Sequence, residues 1–236
     1  MSQRTTYCLP RAILLLLIFS FVGATPAAEL SVAVNSGWNL LGNSTTTAIN
    51  VRSVLGDRTK VVSVWQWDRT NSAWAFFSPA LASDTELSVF ALGNGYQVLA
   101  SIPPGQGFWV NAASSFTLAL GERTPYNNAA SDFAPGWNLI STSTNATPSA
   151  FNQSLGTSPV TSLWGWCNSS SKWYFYAPAL EAQGALADYI ASRGYRDFAS
   201  DQKMLGEGVG FWVNMAASTA VPLIWDAGNW NSHSWQ

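Results

Sequence analysis

Charge is what this chain has least of. Only 10% of its 236 residues are Asp, Glu, Lys or Arg, and the formal net charge is −2. That is too little for strong electrostatic steering, and no Lys/Arg cluster offers the footprint of a nucleic-acid partner. Histidine occurs once, as His233, and cysteine twice, as Cys8 and Cys167. Cys/His metal spacing is therefore missing, and a histidine-based triad is disfavoured because the sole histidine sits in a terminal tail. Phosphate-cradling glycine loops are missing too: Gly206, Gly208 and Gly210 precede a strand rather than a helix and read as turn chemistry. Neither a metal nor a cofactor is expected.

Long apolar runs are also scarce. The candidate from Ala12 to Val22 follows Arg4 and Arg11 and precedes small residues. This is the order of a secretory signal peptide, expected over residues 1–28, with cleavage after Ala24 or nearer Ala27 or Ala28. The run is too short to span a bilayer. Cys8 precedes it, so Cys8 is not a lipoprotein cysteine at the cleavage site. Loss of Arg4 and Arg11 leaves 11 − 2 = 9 basic against 13 acidic residues. The expected product is secreted, periplasmic or extracellular, without stable membrane insertion. Cys167 is then the one cysteine left, and no intrachain disulfide can form. It reads as a small buried hydrophobe, with a reactive thiol or an intermolecular bridge as the alternatives.

What the chain has in excess is tryptophan, 13 of them, and the excess is repeated. Gly107-Phe108-Trp109-Val110-Asn111 returns as Gly210-Phe211-Trp212-Val213-Asn214, an offset of 210 − 107 = 103. Gly37-Trp38-Asn39-Leu40 returns as Gly136-Trp137-Asn138-Leu139, Trp65-Gln66-Trp67 as Trp164-Gly165-Trp166, Trp74 as Trp173 and Gly95-Tyr96 as Gly194-Tyr195, all at an offset of 99. Four residues were therefore gained or lost between Tyr195 and Gly210. Ten of the 13 tryptophans occupy matching positions. A period near 100 is too long for a solenoid and fits two tandem units. The expected division is unit 1 at 29–121, a polar linker at 122–133, unit 2 at 134–224 and a tail at 225–236 carrying Trp225, Trp230 and Trp235.

Local signals assign an α+β, β-rich class, with five or six short antiparallel strands and two short helices per unit. The units are expected to pack about a pseudo-two-fold axis or to exchange strands. Val51, Val54 and Leu55 make a helical stripe closed by Gly56 at C′. In the second copy Thr147 is the expected N-cap and Pro148 the first helical residue. Val62 to Trp67 and Trp74 to Phe77 form a hairpin around Asp68 to Ser72. Ser83-Asp84-Thr85-Glu86 is a capping box that opens a helix with the stripe Leu87, Phe90, Ala91, matched by Leu186, Tyr189 and Ile190. Pro103-Pro104-Gly105 suits a type II turn, and Gly206-Glu207-Gly208 permits the same bend. Phe116 to Leu120 is expected to pair with the strand Gly107 to Asn111.

Strand alternation puts Phe108 and Val110 on one face, read as core, and Trp109 with Asn111 on the other. The second copy repeats this with Trp212 and Asn214. With so few charges, most indoles are expected inside, where each buries 150–250 Å². Two readings of Trp109 and Trp212 stay open: packing residues, or rings on which a sugar stacks while Asn111 and Asn214 bond its hydroxyls.

Paired carboxylates are the remaining route to an enzyme, of glycoside-hydrolase type. The repeat speaks against it. Asp68 corresponds to Cys167, Asp84 to Gln183, Glu86 to Ala185 and Glu122 to Trp225, so no acid meets an acid. Asn43, Asn145, Asn152 and Asn168 begin glycosylation sequons, which arise by chance in so Asn/Ser/Thr-rich a chain.

Gly-Trp-Asn-Leu-Leu-Gly-Asn at 37–43, Val64-Trp65-Gln66-Trp67-Asp68, Trp74 with Phe76-Phe77, Gly95-Tyr96 and Ile102 to Asn111 together resemble a repeat found in secreted proteins of Gram-negative bacteria. The resemblance covers nearly all of 30–223, and the second copy departs from it at Cys167 and at Gly206 to Gly208. It implies export and carries no catalytic residue or ligand with it. The expected function is a non-catalytic extracellular module that binds glycan or cell-surface polysaccharide through aromatic rings. The alternatives are a structural or assembly protein without a small ligand, and a glycoside hydrolase.

Overall fold

The computed structural model describes residues 28–129, 132–156 and 160–216. The expected signal peptide and the tail with Trp225, Trp230, His233 and Trp235 lie outside the described residues.

In chain order the first half contains β1 (Glu29–Val34), β2 (Gly37–Gly42), β3 (Ile49–Asn50), α1 (Val51–Leu55), β4 (Val61–Asp68), β5 (Ala73–Phe77), α2 (Asp84–Gly93), β6 (Gln97–Val98), β7 (Ser101–Ile102), β8 (Gly107–Ala112) and β9 (Phe116–Glu122). The second contains β10 (Gly136–Ser141), α3 (Pro148–Ser154), β11 (Val160–Cys167), β12 (Lys172–Tyr176), α4 (Pro178–Ala182), α5 (Leu186–Arg193), β13 (Arg196–Asp197) and β14 (Gly210–Met215).

These strands build two similar five-stranded sheets, ordered β2-β8-β4-β5-β6 and β10-β14-β11-β12-β13. Their registers agree at matched residues. Trp65 faces Trp109 across β4 and β8, and Trp164 faces Trp212 across β11 and β14. Each of those pairings slips at the same place, between Val61 and Ser63 and between Val160 and Ser162.

Two expectations are corrected here. Phe116 to Leu120 does not pair with Gly107 to Asn111. Both edges of β8 are already taken, by β2 and β4, so β9 pairs antiparallel with β1 in a separate ribbon. The sheets are also not wholly antiparallel. β6 runs parallel to β5 and β13 parallel to β12. The helix after β5 or β12 carries the chain back along the sheet, the usual way to a parallel neighbour.

The Gly-Trp-Asn motif has a mechanical explanation. Gly37 and Gly136 take φ of +85 and +83, where a side chain would be strained. The next residue points away from the core and the Asn points in. Asn39 accepts from the amide of Asn35 at 3.0 Å and donates to the carbonyls of Asn35 and Gly37 at 2.7 and 2.9 Å. Asn138 does the same for Ala134 and Gly136. Each buried amide thus stitches its strand to the segment before it.

The helix signals hold. Ser83 and Glu86 form both bonds of the capping box on α2, and Thr147 caps α3 with Pro148 in its first turn. Of the α2 stripe, Leu87 and Ala91 are buried, whereas Phe90 is half out. Gly56 has φ −82, so it is not a left-handed closure; a Cβ there would overlap the Arg52 carbonyl oxygen. The cores lie on the faces carrying Phe108 and Val110 in one sheet and Phe211 and Val213 in the other, all fully buried.

Candidate functional site

The other face of each sheet carries the tryptophans. Every one of the ten matched indoles is half-buried and none is sealed in a core. They lie largely inside, as expected, but between the sheets rather than around Phe108 or Phe211. Aliphatic, phenylalanine and tyrosine side chains fill the cores, with Trp65 and Trp164 packed against buried clusters, and the indoles meet one another between the two sheets.

The meeting is reciprocal. Along the facing edges the amide of Gly42 donates to the Gly208 carbonyl at 3.0 Å, and that of Ser141 to the Gly105 carbonyl at 2.9 Å. Trp166 Nε1 donates to the Trp38 carbonyl at 2.9 Å, and Trp67 Nε1 to the Trp137 carbonyl at 3.1 Å. Trp109 packs edge-to-face on Trp166 and Trp173 of the other sheet, with centroids 5.6 and 5.7 Å away. Trp212 lies 6.1 Å from Trp67 and 5.8 Å from Trp74. Edge-to-face contacts of this kind add about 0.5–1.5 kcal/mol each beyond area burial.

The contacts join into two ring ladders, each crossing both sheets. One runs from Trp38 through Trp109, Trp173 and Trp164 to Tyr195. The other runs from Trp137 through Trp212, Trp74 and Trp65 to Tyr96. Trp109 and Trp212 are therefore the central rungs, each with three indole neighbours among the described residues.

Asn111 and Asn214 hold a different position. Register sets Asn111 opposite Trp38 and Asn214 opposite Trp137. Both Asn side chains are half-exposed. The bonds of Asn214 run through its backbone, and among the described residues neither side-chain amide has a hydrogen-bond partner. The sequence joined each amide to its strand neighbour, Trp109 or Trp212. The fold joins it equally to the cross-strand ring, Trp38 or Trp137, which alternation alone does not reveal. No protein family, curated protein or solved structure matched this chain.

The acids that the repeat left unmatched have local tasks. Asp68 accepts from Thr70 and Asn71 in its turn, and the Asn71 side chain holds its carboxyl below the usual range. Asp84 pairs with Arg52 at 3.0 Å, Glu86 completes the capping box, and Glu122 lies opposite Glu29 at the end of the ribbon. Among the described residues no group of three or more His, Cys, Asp or Glu is placed to hold a metal ion. Of the sequon asparagines, Asn43 is fully buried and its amide bonds Thr47 and Ile102, whereas Asn145 is exposed.

Cys167 is half-buried rather than a core residue, and its Sγ lies 3.4 Å from Ser169 Oγ. Burial pushes its thiol up, but hydrogen bonds from Ser169 and Ser170 outweigh this and bring it down to about 7.

Proposed function

We propose that this protein is a non-catalytic extracellular module that binds polysaccharide at two similar platforms, Trp38 with Asn111 and Trp137 with Asn214, in two units related by a pseudo-two-fold axis. The observation that carries this reading is an unbonded side-chain amide, Asn111 or Asn214, set across the strand pair from a half-buried indole at both matched positions. An indole face accepts sugar C–H groups, and a neighbouring amide offers one acceptor and two donors to hydroxyls. Each stack contributes about 1 kcal/mol, so one platform binds weakly. Two platforms on one body gain avidity from a repeating polymer. Trp109 and Trp212 then act chiefly as braces that hold the platform rings upright.

The test is affinity electrophoresis through gels loaded with polysaccharide. Asn111→Ala with Asn214→Ala leaves every described packing contact intact. The doubly substituted protein is expected to lose retardation, and each single variant to lose part of it. Mobility equal to wild type for all three removes these platforms from function.

One observation favours a structural or assembly role as a second reading. Val89 and Leu92 on α2 are each 70% exposed, with Phe90 at 43% and Val98 on the β6 edge at 38%. The matched positions in the second half are Asp188, Ala191, Tyr189 and Asp197. The second half therefore builds the same helix and edge strand without apolar exposure. A patch that folding does not require suits association. Sedimentation velocity tests it: a monomer at high concentration speaks against it.

A further inference from the structure

The two halves differ most at one place, and the differences converge. Two adjoining hollows of about 240 and 180 Å³ lie between the sheets and share Leu40, Leu41, Trp166 and Lys203. Gly165 and Phe198 line one, Cys167 and Tyr174 the other. At the matched positions of the first half stand Gln66 for Gly165 and Asp68 for Cys167. Lys203 lies in the stretch between Tyr195 and Gly210 where the second half carries four extra residues.

This stretch is built rather than slack. Asp197 accepts from the amide of Ala199 and from Ser200 Oγ. Asp201 takes both Nε and Nη2 of Arg196 at 2.6 Å, and that guanidinium lies over the Tyr174 ring. Gln202 is held at φ +51, a conformation that costs a residue with a side chain about 1–2 kcal/mol. The next residue is Lys203, half-buried in the wall of both hollows.

Among the described residues Lys203 has no carboxylate partner. Glu207, which lines the smaller hollow, is engaged by Arg123 at 3.2 Å. Asp201 is engaged by Arg196. The position from which the first half would offer a carboxylate, that of Asp68, is Cys167 here. Burial lowers the Lys203 pKa, and the one charge that offsets this is the Cys167 thiolate. A cation lines a cleft in which a thiol stands where the first half has a carboxylate.

We propose that this inter-sheet cleft binds a small carboxylate-bearing molecule, a free organic acid or the uronate residue of a glycan, with its carboxylate on Lys203 and its body against Trp166 and Leu40. The chemistry selects this class. One ammonium suits a single negative charge, whereas phosphate and sulfate sites recruit Arg forks or several backbone amides. A hollow of about 240 Å³ is below the range of drug-sized pockets and takes one sugar ring or a small acid. The indole and leucine walls suit an apolar or ring-shaped body. This site is separate from the Asn111 and Asn214 platforms and does not depend on them.

Cys167 lines the cleft and serves as the reporter. Alkylation of Cys167 by iodoacetamide is followed by peptide mass spectrometry, with D-glucuronate, D-glucose, acetate or alginate present. Glucuronate is expected to slow modification about 5-fold or more at saturation, and glucose not at all. Lys203→Met, checked for folding by near-UV circular dichroism, loses the protection, and Lys203→Arg keeps part of it. Protection by the monomer identifies a small acid as sufficient; protection by alginate alone assigns the site to a polymer. Both outcomes support the cleft. Absence of protection by both glucuronate and alginate, equal protection by glucose, or undiminished protection in Lys203→Met, overturns it. If Cys167 resists alkylation without ligand, calorimetric titration with glucuronate and with alginate replaces this readout, and absence of saturable heat from both overturns the proposal equally. Asn111→Ala with Asn214→Ala is expected to leave glucuronate protection unchanged, which separates failure here from failure of the platforms.

Discussion

Trp67 donates its indole N–H to the backbone carbonyl of Trp137, 3.1 Å away on the other sheet, and the matched pair Trp166 and Trp38 repeats the bond in the opposite direction at 2.9 Å. Each sheet therefore lends a ring to the edge strand of the other. Trp67→Phe and Trp166→Phe keep an aromatic ring but lose the donor. Each is expected to cost about 1 kcal/mol in chemical denaturation, a typical net value for a hydrogen bond.

Glycine is required where the edges touch. A Cβ on Gly210 would overlap the Leu41 carbonyl, and one on Gly42 would overlap the Ser141 side chain. The backbone on one side and the paired edge on the other leave little room to yield. Gly210→Ala is expected to destabilise by about 1–3 kcal/mol, the usual cost of overpacking. Gly93→Ala, where a Cβ meets nothing within 4 Å, provides the control.

The Cys167 thiol titrates at about 7, below its ordinary value. The thiolate is the reactive form, so alkylation is expected to rise with pH and reach half its plateau near pH 7. Ser169→Ala removes a hydrogen bond that favours the thiolate, so its midpoint is expected to move up. A wild-type midpoint near that of a free cysteine contradicts the geometry around Ser169.

The apolar patch on α2 makes a stability prediction opposite to that of the seam. Val89→Asp, Leu92→Ala and Val98→Asp copy the matched residues of the second half. Val89 and Leu92 are largely exposed, so their single changes are expected to alter stability by less than about 0.5 kcal/mol. If the patch mediates association, the triple variant sediments as a smaller species than wild type at equal concentration.

Much of this architecture was legible in the chain. The offsets placed Trp65 with Trp164 and Trp109 with Trp212, and the registers agree at those residues. Ser83 and Thr147 cap the helices they were expected to cap. Alternation put Phe108 and Val110 in the core. What it could not give was the partner of each face. A period of two says that Trp109 points away from Phe108, but not that Trp166 and Trp173 wait there from two strands more than fifty residues on. Pairing β9 with β1 rather than β8 required knowing that β8 was already occupied on both sides. The approach of Lys203 to Cys167 depends on the conformation of a stretch four residues longer than its counterpart in the first copy.

The central claim is that two matched halves clasp each other through their tryptophans and stand as one cooperative body. Equilibrium unfolding in guanidinium chloride, followed by tryptophan fluorescence and by far-UV circular dichroism, tests it most directly. The clasp predicts one transition, coincident by both probes, with Trp67→Phe and Trp166→Phe lowering its midpoint by similar amounts. Two separate transitions, with each substitution shifting only one of them, would contradict it.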